Sequence, residues 1–95
     1  LKSTFSMFSG HTDTVKLRFE SSLANSVIDR FGRDTTFLSD DDDEHFIIWA
    51  SVQTEQPQAF FAWLFMFGEQ AEILEPHELR ESYLKMLQTV ANKYV

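Results

Sequence analysis

Asp40, Asp41, Asp42, Asp43 and Glu44 run directly into His45, a set of oxygen and nitrogen donors of the kind that bind divalent cations. A calcium loop places its oxygens at alternate positions, uses a glycine for its sharp turn and closes the cage with a more distant glutamate. Here the acids are adjacent and no glycine interrupts them, so most of the carboxylates should point apart. The run reads as a solvated turn whose charge keeps a sheet edge soluble, and no metal is expected. His11, His45 and His77 are far apart, and "HELRE" offers one histidine where the zinc-protease helix needs two. No serine lies in a G-x-S-x-G elbow, and Ser21 with Ser22 suits a helix cap better than a nucleophile. No glycine-rich loop is present to cradle a phosphate. The expectation is no catalytic residue, no cofactor and no enzyme.

Four cations stand out against the acidic background: Lys16, Arg18, Arg30 and Arg33. They admit two readings, a small patch contacting an anionic ligand or a neighbouring domain, or salt-bridge partners scattered among the many acids. Fifteen acidic and eight basic side chains give a formal net charge of −7, so the chain by itself should be repelled by DNA and by anionic lipid. No apolar run approaches the roughly 20 residues that span a bilayer. There is no cysteine, which excludes disulfides and thiolate metal sites. With 95 residues, 43% of them hydrophobic, the chain suits one domain with a real core. A start at Leu1 rather than at methionine leads us to expect a piece of a longer protein.

Residues 1–14, "LKSTFSMFSGHTDT", read as a linker whose Phe5, Met7 and Phe8 can dock. "VKLRF" then alternates, with Val15, Leu17 and Phe19 facing one way and Lys16 and Arg18 the other, the pattern of a half-buried strand. In "SSLANSVIDRFG", Leu23, Val27 and Phe31 recur every four residues, which predicts a helix ended by Gly32. "DTTFLSD" predicts a short, weaker strand and "HFIIWASVQ" a strong one, joined as a hairpin through the acidic run. In the second of these, Phe46, Ile48, Ala50 and Val52 form one face, whereas Ile47 and Trp49 make the other face partly apolar.

Pro57 opens a helix that Gly68 closes, "AEILE" predicts a fourth strand, and Pro76 opens a last helix carrying Leu79, Tyr83, Met86, Leu87, Val90 and Tyr94 on one stripe. The order is β-α-β-β-α-β plus an additional C-terminal helix. It predicts an α+β, ferredoxin-like sandwich with two helices on one face of a four-stranded sheet.

Within it, "FFAWLFMFG" packs five aromatic rings into nine residues. On a helical wheel Phe60, Trp63, Leu64 and Phe67 share the face that meets the sheet, whereas Phe61, Phe65 and Met66 point away from it. A helix apolar all round is buried all round. The outer side must be covered by the last helix, by another domain or by a second copy. The expectation is an intermolecular or interdomain contact through Phe61, Phe65 and Met66, with Ile47 and Trp49 as further interface residues.

"VKLRF", "NSVIDRFG", "FFAWLFMFG" and "AEILEP", followed by an amphipathic helix, together resemble the C-terminal extension (WCX) domain of WYL-domain transcriptional regulators, over Val15 to about Tyr94. "FSMFSG" resembles the connector that precedes this extension, so the expected division is a linker over 1–14 and a WCX-like domain over 15–95. The resemblance implies a regulatory and dimerisation module of a cytoplasmic DNA-binding protein. Its upstream winged helix-turn-helix and WYL domains would bind DNA and sense an effector, and this chain would reach DNA only through that parent. The reading set against it is a free-standing ferredoxin-like sensor of a small ligand.

Overall fold

The computed structural model describes residues 12–95, and the expectations for Phe5, Met7 and Phe8 lie outside them. β1 (Thr12–Glu20) is followed by a 3-10 turn at Ser21–Leu23, α1 (Ala24–Phe31), β2 (Leu38–Ser39) and β3 (His45–Gln53). Then come α2 (Gln58–Phe65), a 3-10 turn at Gly68–Gln70, β4 (Ala71–Glu75) and α3 (His77–Asn92). The strands form one sheet in the order β2-β3-β1-β4. Every neighbouring pair is antiparallel. This is the expected α+β, ferredoxin-like arrangement with its added C-terminal helix.

β1 starts three residues earlier than its alternation suggests. Thr12, Asp13 and Thr14 pair with Gln53, Val52 and Ser51 of β3, and Thr54 Oγ1 donates a 2.8 Å hydrogen bond to Asp13. Polar strand ends carry no hydrophobic period, so only the pairing reveals them. β2 is reduced to two residues, Leu38 opposite Ile47 and Ser39 opposite Phe46.

The covered side of the sheet holds the core. Val15, Leu17 and Phe19 of β1 meet Phe46, Ile48, Ala50 and Val52 of β3 and Ile73 of β4, all buried. Val27 and Phe31 of α1 and Phe60, Trp63 and Leu64 of α2 close over them. Trp63 is the centre of an aromatic cluster, with edge contacts to Phe19 at 5.9 Å, Phe31 at 5.5 Å and Phe67 at 5.0 Å. Such pairs add to the energy of area burial.

The element ends differ from simple expectation. Ser21 does not cap α1: its backbone N–H donates to Glu44 C=O at 2.8 Å and its hydroxyl to Asp43 C=O at 3.2 Å, so it ties the end of β1 to the acidic turn. Gly32 ends α1 at φ 101°, with its N–H returning to Ile28 C=O at 2.8 Å, as a glycine after a last helical turn does. α2 stops at Phe65, and Gly68 lets the chain turn into β4 at φ 56°. No helix among the described residues is long and apolar enough to cross a membrane.

Candidate interaction surface

The side of the sheet away from the helices is uncovered among the described residues. Strand alternation places Lys16 and Arg18 there, opposite Trp49 and Ile47 in register, with Leu38 beside Ile47 and Glu72 beside Arg18. Leu38 and Trp49 are 41% and 43% exposed, so this face presents a strip of apolar side chains next to charges. Lys16 Nζ stands 5.6 Å from the Trp49 ring centroid, within cation–π range, and 3.7 Å from Glu75 Oε2.

Arg18 is more tightly held. Its Nε lies 2.7 Å from Asp40 Oδ2, with both atoms closed off from solvent. The approach is a charge pairing and not an aligned hydrogen bond. Arg18 Nη1 lies 3.6 Å from Glu72 Oε1, and the other Glu72 oxygen takes Arg80 Nη1 at 2.9 Å. The result is a chain of alternating charges from the end of β2 over β1 and β4 and onto α3. Both cations of this face already have carboxylate partners.

The four cations singled out in sequence do not converge. Arg30 stands on the opposite side of the sheet, 5.9 Å from the Trp63 ring centroid. Arg33 lies exposed in the turn after α1. Lys16 and Arg18 share one surface; Arg30 and Arg33 belong to another.

The acidic run is a turn held by its own side chains. Asp40 Oδ1 accepts from the Asp41 N–H at 2.8 Å, and Asp42 Oδ1 accepts from the Glu44 N–H at 2.9 Å. His45 Nδ1 lies 2.9 Å and 3.1 Å from the two Asp42 oxygens. The hydrogen bond from His45 holds the Asp42 carboxyl below its ordinary range, against an opposing desolvation. Asp40, Asp42 and His45 thereby gather ligand-type atoms within 4.8 Å of one another. Within the group Asp42 pairs with His45, and Asp40 pairs with Arg18. The three-residue spacing of Asp42 and His45 was the signal for this pair, and reading each histidine as an isolated surface group missed it.

The outer side of α2 divides. Phe65 and Met66 are 56% and 75% exposed, on the side the helical wheel gives them. Phe61, assigned from the same wheel to an outside contact, is only 5% exposed. Its ring lies 6.0 Å from Phe60 and 4.9 Å from Tyr83 of α3, so the last helix covers it. Burial pushes the pKa of the Tyr83 hydroxyl above the usual 10.0. Phe67, expected in the core, is only half-buried, at its edge. Between α2 and α3 runs an apolar groove of about 410 Å³ lined by Phe61, Ala62, Phe65, Met86, Leu87 and Val90. Met86, Leu87 and Val90 belong to the apolar stripe expected on the last helix.

No curated protein matches the chain. The sequence model of the WCX domain matches residues 11–91, beginning one residue before β1 and ending within the last turn of α3. A match over that span, on an antiparallel sheet with the added third helix, identifies the chain as a member of the WCX domain family.

Proposed function

We propose that this WCX domain is the C-terminal regulatory and dimerisation domain of a WYL-family DNA-binding transcriptional regulator of the cytoplasm. It has no DNA binding, catalysis or cofactor of its own. The observation that carries this reading is the family match over residues 11–91. Two surfaces are consistent with it: the open sheet face around Ile47 and Trp49, and the rim of the α2/α3 groove at Phe65 and Met66. Each presents large apolar side chains to solvent, as contact surfaces do. Upstream WYL and winged helix-turn-helix domains of the same chain, together with a second copy, are the partners these surfaces suit. Lys16 and Arg18 take a contact role only through the parent's other domains, because their charges are already matched here.

The test combines light scattering over a concentration series with fluorescence-anisotropy titration of duplex DNA. Self-association, with no DNA binding tighter than about 1 µM at physiological salt, is the expected result. A salt-sensitive complex tighter than that would overturn the claim that DNA is contacted only by the parent. A chain that stays monomeric throughout would remove dimerisation from the reading.

A further inference from the structure

The two long edges of the sheet are treated differently. At the β4 edge, α3 packs along the strand, and Arg80 Nη1 donates a 2.9 Å hydrogen bond to Ile73 C=O. That edge is covered and charged. At the other edge, β2 pairs only with Phe46 and Ile47 of the nine-residue β3. On the flank away from β1, residues 48–53 therefore have no strand partner among the described residues. At the rise of an extended strand this is an edge of about 20 Å.

The coil that leads from α1 to β2 does not fill the gap. Its backbone bonding is local, the Thr35 N–H turning back to Gly32 C=O at 3.2 Å, and a cleft of about 250 Å³ separates it from Trp49, Ala50 and Ser51. Exposed edges are normally blunted by charge, by proline or by a covering element. Ile48, Trp49, Ala50, Ser51, Val52 and Gln53 include no charge and no proline.

The geometry points to a second copy of this chain as the occupant: the two β3 edges pair antiparallel about a two-fold axis near Ser51, continuing the sheet across both protomers. This rests on the dimerisation part of the function proposed above and assigns it a surface. Three features select a second copy. An antiparallel pairing about an axis normal to the sheet keeps side-chain alternation in step. Ile48, Ala50 and Val52 stay on the helix side in both copies, and Trp49 and Ser51 stay on the open side. The axis near Ser51 also ends the pairing where Leu38 takes over beside Ile47, so β2 fixes the register. Charge agrees as well. Each chain carries −7, but the acidic run enters β3 at its His45 end, so antiparallel pairing sends the two runs to opposite outer ends, and the paired strand residues themselves carry no charge. Parallel pairing would bring them side by side.

The absence of cysteine makes the test direct. Residues that face each other across an antiparallel pair have Cα atoms about 4.5–5.5 Å apart, within the range a disulfide spans. Ser51→Cys should form a covalent dimer under mild oxidation at least about tenfold faster than Phe65→Cys, whose site on α2 lies outside the seam. Ser51→Lys puts like charges opposite one another and should weaken self-association at least about tenfold while the thermal melt is preserved. If the chain dimerises but Ser51→Cys cross-links no faster than Phe65→Cys, the β3 seam is wrong and dimerisation stands on another surface. If the unmodified chain never dimerises, the seam fails together with the dimerisation reading.

Discussion

Trp63 and Trp49 lie on opposite sides of one sheet, and each has a cation near its ring: Arg30 at 5.9 Å and Lys16 at 5.6 Å. Their surroundings differ. Trp63 is 7% exposed and enclosed by Phe19, Phe31 and Phe67. Trp49 is 43% exposed and sits beside ion pairs. On the covered side the cation lies over a ring whose burial already contributes most of the energy. On the open side the ring is half exposed and its cation is matched by Glu75. A cation beside a tryptophan ring is thus part of the core in one place and open to solvent in the other, and the covering layer makes the difference.

The largest effect should come from removing the enclosed ring. Trp63→Ala should cost about 3–5 kcal/mol in denaturant melts, a large share of a small domain's stability, whereas Trp49→Ala should cost about 1 kcal/mol. Equal losses would mean that the open face is also core and would break the comparison.

Next should be Arg18→Ala. It leaves Asp40 Oδ2, already closed off from solvent, without its cation, at a cost of about 1–2 kcal/mol. Lys16→Ala should cost at most about 0.5 kcal/mol, because its partner Glu75 is largely exposed. A chemical-denaturation comparison of the two variants checks the order, and a reversal would show that the chain of charges does not centre on Arg18.

The two sides of α2 extend the comparison to one helix. Phe65→Glu should leave the melt within about 1 kcal/mol of the parent while weakening docking at the α2/α3 groove. Phe61→Glu should unfold the domain, because it buries a charge beneath Tyr83. Circular dichroism melts of the pair decide this, and unfolding by Phe65→Glu would make both sides internal core.

The smallest effect belongs to the acidic turn. The Asp42 carboxyl is held below its ordinary value in the folded chain, so its contribution to stability is present above the unfolded value of about 3.9. That contribution is lost as pH falls through the lower folded value. Asp42→Asn should therefore melt slightly below the unaltered chain near neutral pH, with the gap closing below about pH 4. A gap that persists to the lowest pH at which the fold survives would show that the His45 contact contributes nothing.

The sequence by itself determined the order of elements, the fold class and the buried sides of β1 and β3. Val15, Leu17 and Phe19 and then Phe46, Ile48, Ala50 and Val52 repeat with the two-residue period of a strand, and a period is a property of neighbouring positions. It determined equally that Phe65 and Met66 project from α2 away from the sheet. Only the tertiary structure decided that Phe61, read from the same wheel as an outside residue, lies beneath Tyr83, because periodicity states which residues share a side and not what covers it. Only the tertiary structure joined Arg18 to Asp40, bound Ser21 to the acidic turn and cut β2 to two residues, leaving residues 48–53 of β3 without a strand partner on the flank away from β1 among the described residues. Those outcomes depend on residues brought together from distant parts of the chain, where close packing and charge pairing, not local propensity, set the result.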